Sequence, residues 1–358
     1  MSKSAAVRNI DEEKLGAYMG KVVNDLGALI SSSLVCIGDK LGLYKAMADG
    51  VPLSSSELAN RTGTNERYIR EWLINQAASG NLEYDPAAGR YTLPPEQAAA
   101  LADEASPYFV CGGFQAMLAM TKAEDKITEA FRTGEGMFWG EHDHNLFQGT
   151  ERFFKPSYIA SLVQNWIPAL DGVETKLKAG AKVADVGCGH GASTIIMAKE
   201  YPKSKFYGFD NHAPSIERAR HAAMEEGVGD RIEFHVAGSE DFPGEDYDLV
   251  AFFDCFHDLG NPAGSAKRAH ETLAADGTVM IVEPMAGNSV EENLNPVGRV
   301  YSGASVLCCT PNALAYGGHA LGTIATDAAL AEMAAAGGLN KFRRVTETPF
   351  NRVFEARP

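Results

Sequence analysis

At 358 residues the chain is long enough for two domains, and its 45% hydrophobic and 22% charged content is that of a globular protein with a core, not a disordered or fibrous one. A formal net charge of −15 disfavours a phosphate backbone as partner. The six cysteines, Cys36, Cys111, Cys188, Cys255, Cys308 and Cys309, lack zinc or disulfide spacing and read as thiols of a reducing compartment.

The opening MSKSAAVRNIDEEK is charged throughout and has no apolar signal core. The uncharged stretch 26–38 is too short to span a bilayer, so a soluble cytoplasmic protein is expected. Leu15, Met19, Val22, Val23, Leu26, Leu29 and Ile30 recur at helical spacing within residues 11–47. Ser54 and Glu57 form a capping-box signature, Gly63 ends that short helix, and the next one carries Ile69, Trp72, Leu73 and Ala77 on one face. Strands near 82–84 and 90–93 flank Asp85-Pro86-Ala87-Ala88-Gly89 as a hairpin.

Helix, turn, helix and hairpin make a winged helix. Its second helix balances Arg67 and Arg70 against Glu66 and Glu71, whereas a groove-reading helix should be basic. Dimerisation or substrate covering is therefore expected in place of DNA binding. Residues 134–166 are aromatic-rich (Phe138, Trp139, Phe147, Phe153, Phe154, Tyr158) and hold Glu141-His142-Asp143-His144. No third ligand completes a metal set there, so this segment reads as a cover over an active site.

Beyond it strands and helices alternate. Strands are expected at 182–186, 205–209, 231–236, 249–253 and 278–282, with helices such as 193–200, 215–226 and 263–273 between them. This pattern predicts a doubly wound α/β sheet with ligands beyond the carboxyl ends of its strands. The tail adds two strands joined near Thr348-Pro349. The expected domains are a helical winged-helix unit, 1–150, and an α/β unit, 151–358.

The strand 182–186 runs into Asp185-Val186-Gly187-Cys188-Gly189-His190-Gly191. A dinucleotide fingerprint would need glycine at 192, where Ala192 stands. Asp185 beside the first glycine suits a ligand carrying an ammonium group better than a pyrophosphate. Asp210, 23 residues after Gly187, lies where a carboxylate takes ribose hydroxyls, and Gly238 to Asp241 lie where an adenine edge would rest.

These motifs resemble the class I S-adenosylmethionine-dependent methyltransferases over about residues 165–358. Phrases such as GDKLGLYKAMADG, RYIREWLINQAASG, RFFKPSY, FDCFHDLGNP, NPVGRVYS and FNRVFEARP extend the resemblance to nearly the whole chain, to a bacterial winged-helix methyltransferase group, some of them labelled transcriptional regulators. The resemblance implies S-adenosylmethionine at Asp185, Gly187, Cys188, Gly189, Asp210, Asn211, Gly238, Ser239 and Asp254. Many members place an aspartate where this chain has Gly238; Ser239, Glu240 or Asp241 is the expected replacement. Asp254 reads equally as a cofactor contact or a loop cap.

CFHDLGNP is also similar to the His-Asp-Trp segment of plant-type small-molecule O-methyltransferases, which carry an N-terminal winged-helix dimerisation domain. That similarity implies a homodimer, His257 as the base that takes a hydroxyl proton, and Glu283 as its orienting partner; Leu259 replaces the Trp. Trp139, Phe154, Arg299 and Tyr301 are candidate acceptor contacts. A Cys255 nucleophile and a metal at Cys255, His257 and Asp258 are disfavoured, because methyl transfer needs neither. The Cys308–Cys309 pair reads as buried neighbours. The alternatives kept open are a non-catalytic winged-helix regulator and transfer to nitrogen or sulfur.

Overall fold

The computed structural model describes residues 10–358; the first nine residues of the charged opening segment lie outside them. The chain divides into two compact units, 1–114 and 115–358. The division falls earlier than the expected boundary at 150, because residues 115–150 pack with the α/β unit.

The first unit opens with α1 (Glu12–Lys40), capped by Asp11, whose carboxylate accepts from the amides of Glu13 and Lys14. Its apolar positions behave differently from expectation. Leu15, Met19, Val23, Leu26, Leu29 and Ile30 are all exposed, and burial begins only at Ser31. By length and hydropathy α1 would also suffice to cross a membrane. The stretch 26–38 understated it, since the helix runs on through the paired charges of Lys21 and Asp25, 2.5 Å apart.

The short α2 (Leu43–Met47) leads to α3 (Ser55–Thr62), which carries the complete Ser54–Glu57 capping box, and then to α4 (Glu66–Ala78), capped by Asn65. Ile69, Trp72 and Leu73 of α4 are buried at helical spacing, each contributing roughly 1.5–3 kcal/mol over exposure. The Trp72 indole N–H donates to the Leu34 carbonyl at 2.9 Å and the Tyr44 hydroxyl to Gln76 at 2.6 Å, which ties α1, α2 and α4 together. The hairpin β1 (Glu83–Asp85) and β2 (Arg90–Thr92) completes the wing, and α5 (Pro95–Leu101) follows.

The helix α6 (Cys111–Thr121) crosses the division, and α7 (Glu124–Thr133), α8 (His144–Ser161) and α9 (Val173–Ala179) precede the sheet. Strands and helices then alternate: β3 (Lys182–Val186), α10 (Ala192–Glu200), β4 (Lys205–Asp210), α11 (Ala213–Glu225), β5 (Ile232–Val236), β6 (Tyr247–Phe253), α12 (Pro262–Thr272) and β7 (Leu273–Pro284). Next come α13 (Pro296–Ala304), α14 (Thr310–Ala315) and α15 (Asp327–Ala336), before the antiparallel pair β8 (Lys341–Glu347) and β9 (Asn351–Arg357).

The sheet order is β5-β4-β3-β6-β7-β9-β8, parallel up to β7 and antiparallel beyond it. The expected strands are all present. β7 is longer than its apolar stretch because β6 pairs with it from Leu273, across a register shift, and β9 pairs with it as far as Pro284. Every residue of β6 but Asp248 is buried, as a central parallel strand covered on both faces requires. Chain order reverses between β3 and β6, and at their carboxyl ends a crevice is forced open.

Candidate active site

The crevice is a cavity of about 460 Å³ within the second unit. Its floor comes from the ends of β3, β4, β5 and β6, its walls from α6, α8, α13 and α14.

The loop after β3 starts with Gly187 and places Gly191 at φ +79°, where a Cβ would lie 2.7 Å from the Phe234 ring and 3.1 Å from Ala219. Only glycine allows that approach of loop to sheet. A Cβ on Gly189 would meet nothing within 4 Å, so this backbone faces open cavity. Asp210 ends β4, and its two oxygens accept from the amides of Gly189 and His212 at 2.9 and 2.8 Å. Burial raises its carboxyl pKa, against those bonds. Asn211 lines the rim, bonded to the Tyr316 hydroxyl at 2.7 Å. After β5 the Gly238 amide donates to Asp241 at 2.9 Å and Ser239 accepts from Ser265 at 2.7 Å, and Ser239, Glu240 and Asp241 all line the cavity.

Asp185 does not line the cavity. It is fully buried behind the loop, where the hydroxyls of Ser193 and Thr194 each donate to its Oδ2 at 2.6 Å and its Oδ1 has no hydrogen-bond partner among the described residues. Burial pushes its carboxyl up to about 6. It clamps the start of α10 to the loop from behind the cavity lining. Cys188 is a buried thiol on the floor.

β6 ends at Phe253, and Asp254 turns the chain in the left-handed region at φ +52°, a strained setting for a non-glycine residue. The Tyr158 hydroxyl and the Asn351 amide donate to its two oxygens at 2.7 and 2.8 Å. Burial nevertheless pushes the Asp254 carboxyl up to about 8. Asp254 thus lines the cavity while being held by α8 and β9, and it caps no helix.

The one-turn helix Phe256–Asp258 presents His257, 2% exposed. Its Nδ1 lies 2.8 Å from Glu283, which is fully buried on β7, and its backbone amide points at the same carboxylate at 3.4 Å. Burial alone would lower the imidazole pKa, but the Glu283 carboxylate and Cys309 outweigh it and raise it well above the usual value. The pair favours the imidazolium, the form the ring takes after accepting a proton. Glu283 itself stays behind the cavity wall.

Trp139, Phe154 and Tyr301 line the cavity, the last with its hydroxyl donated to the Phe350 carbonyl at 3.0 Å. Arg299 does not. It is exposed on α13, because residues two apart on a helix lie roughly 200° apart and Tyr301 takes the inward side. In Glu141-His142-Asp143-His144, Asp143 caps α8, Glu141 pairs with Lys126, His142 is buried and His144 exposed.

Sequence spacing could not find Tyr158, Asn351, Cys309 or the His190–Glu151 pair at 2.8 Å, since each is brought to the site by a distant element. Cys308 and Cys309 both line the cavity as well as being buried. Among the described residues no Lys or Arg lines it, while Glu151, Asp210, Glu240, Asp241, Asp254 and Asp258 do. Such a cavity rejects a pyrophosphate and suits a cationic nucleoside. The open backbone at Gly189 and the carboxylate of Asp210 beside it fit S-adenosylmethionine on the same grounds.

Residues 29–103 match the Rv2258c-like winged HTH domain and residues 177–329 a methyltransferase domain. Sarcosine/dimethylglycine N-methyltransferase of Aphanothece halophytica is 30% identical over 149 residues, 39% of this chain and 48% of that protein, so the chain spans about half the length of this relative. Two solved structures share the fold. Mitomycin 7-O-methyltransferase has 17% identity and TM-score 0.71, covering 97% of this chain and 100% of that one. Human N-acetylserotonin methyltransferase, solved in complex with S-adenosylmethionine, has 17% identity and TM-score 0.68, covering 98% and 99%. The chain thus carries a winged helix-turn-helix domain of the Rv2258c-like family followed by a methyltransferase domain.

Proposed function

We propose that the chain transfers a methyl group from S-adenosylmethionine to an oxygen of a small-molecule acceptor. The observation that carries this reading is the buried His257–Glu283 pair at the cavity floor, beside the glycine loop. The donor, when bound, supplies a sulfonium methyl group.

The residues of this chain do the rest. Gly187, Cys188 and Gly189 receive the donor, with Asp185 holding their loop; Asp210 and Asn211 take its ribose, and Gly238, Ser239 and Asp241 its adenine edge. Trp139, Phe154 and Tyr301 hold the acceptor and exclude water. Holding two reactants in line is worth up to about 10⁵–10⁸ M in effective concentration. His257 takes the hydroxyl proton, and Glu283 keeps the ring in one tautomer and stabilises the imidazolium.

The test is a methyl-donor turnover screen across hydroxyl, amine and thiol acceptors, repeated with His257→Ala. A fall of about 10²–10⁴-fold in kcat on a hydroxyl acceptor is expected. Full rate in the variant would overturn the base role, and turnover confined to amines or thiols would move the reaction off oxygen.

The remaining reading concerns partners. The exposed apolar side of α1 supports a homodimer through that helix. Arg67 and Arg70 are already paired with Glu71 and Glu66, at 2.6 and 2.8 Å, which argues against a phosphate backbone as ligand. Six free thiols support a reducing cytoplasmic setting.

A further inference from the structure

Cys255, the thiol nearest His257 in sequence, turns away from it: its Sγ donates to the Val186 carbonyl at 3.2 Å. The short helix after β6 breaks the strand alternation that would have aligned the two. A different thiol arrives instead. Cys309, from the π-helical turn Ser305–Cys309 ahead of α14, brings its Sγ within 4.8 Å of a His257 ring nitrogen. One donor atom each from His257, Asp258 and Cys309 lie within 4.8 Å of one another. All three residues line the cavity, His257 and Cys309 buried and Asp258 half-buried.

We propose that His257, Asp258 and Cys309 form a binding site for a borderline-soft divalent metal ion, Zn²⁺ being the best match. Nitrogen, sulfur and carboxylate oxygen are the zinc donor set, and tetrahedral zinc with bonds of about 2.0–2.3 Å holds its donors roughly 3.3–3.8 Å apart, inside the observed limit. The surroundings are arranged as a metal site requires. Glu283 engages Nδ1, which leaves Nε2 as the ring nitrogen available to a metal ion. The Asn312 amide donates to the Asp258 carbonyl at 3.0 Å and its Oδ1 accepts from Trp139, which holds the turn carrying two of the donors against α14. Three protein ligands leave a fourth position open to the cavity. On binding, Cys309 coordinates as thiolate and His257 as neutral imidazole, and the displaced protons pass to solvent.

The consequence for activity is inhibition. The metal takes the Nε2 lone pair that would remove the acceptor's proton. That consequence, unlike the binding itself, rests on the function proposed above.

The experiment is a Co²⁺ titration of the full-length reduced protein, followed by absorption and then by competition with Zn²⁺. A single equivalent of Co²⁺ is expected to give a thiolate-to-metal charge-transfer band and tetrahedral visible bands, both abolished by Zn²⁺. Cys309→Ser should lose the charge-transfer band, Asp258→Asn should bind Co²⁺ at least about tenfold more weakly, and Glu283→Gln about 10–100-fold more weakly. Cys255→Ala should keep the band. Absence of the band in folded protein, or its survival in Cys309→Ser, overturns the site. Methyl transfer is then assayed with and without Zn²⁺. If the band is present and Zn²⁺ leaves turnover of a hydroxyl acceptor untouched, the metal site stands and the base role of His257 falls.

Discussion

At the scale of single residues the site is organised by buried carboxyl groups, each with its own task. Glu283 serves His257, and exchanging it for Gln keeps an acceptor for the ring N–H while removing the charge. Glu283→Gln should lower kcat at least about tenfold on a hydroxyl acceptor with little change in KM, read from initial rates. Asp254 serves the fold around the cavity and stores strain in its left-handed backbone. Its folded pKa, pushed up to about 8 by burial, lies above the ordinary carboxyl value, so folding takes up a proton. The stabilisation linked to that proton is complete below the unfolded pKa near 4 and is lost as pH rises towards 8, with a limiting slope of about 1.4 kcal/mol per pH unit. Against Asp254→Asn, which does not titrate, the wild type should therefore lose stability between pH 5 and 8 in urea unfolding. Parallel curves for the two proteins would refute the raised pKa. A sequence shows that Asp254 follows a strand; it cannot show that Tyr158 and Asn351 will close over it.

At the scale of elements, α1 stands apart. A helix whose apolar residues recur at regular spacing normally buries that stripe in its own chain, yet the first five turns of α1 bury nothing. In the homodimer proposed above, this stripe would meet an identical stripe across a two-fold axis. Val23→Asp combined with Leu26→Asp should convert the dimer to monomer in light scattering while leaving the unfolding transition of the second unit in place. A wild-type monomer would sink the dimer, and partition of the wild type into lipid vesicles would assign α1 to a membrane. α13 teaches the complementary lesson. Arg299 and Tyr301 look equivalent in the sequence, but helical rotation sends one to solvent and the other to the cavity.

At the scale of the whole molecule, a ligand that binds only the folded chain must stabilise it. S-adenosylhomocysteine at 100 times its Kd should add about 2.7 kcal/mol, visible as a rise in the melting temperature of the second unit, while NAD should add nothing. The reverse result would reject the cavity chemistry argued from its lack of cationic lining. What the amino-acid sequence determined alone was what local periodicity and strand-end motifs carry: the winged helix, the alternating strands and helices, the glycine loop, and the strand-end places of Asp210 and His257; Glu283 as partner of His257 was implied by the resemblance to the plant-type O-methyltransferases. These depend on residues close in the chain, or on strand ends that parallel topology must bring to one edge. The rest needed tertiary structure, because it depends on packing between elements far apart in sequence. Asp185 retreats behind its loop only because α10 supplies Ser193 and Thr194. Cys309 reaches His257, 52 residues away, only because a π-helical turn folds over the cavity. Periodicity states that α1 is apolar on one side, and only the folded chain shows that side left uncovered.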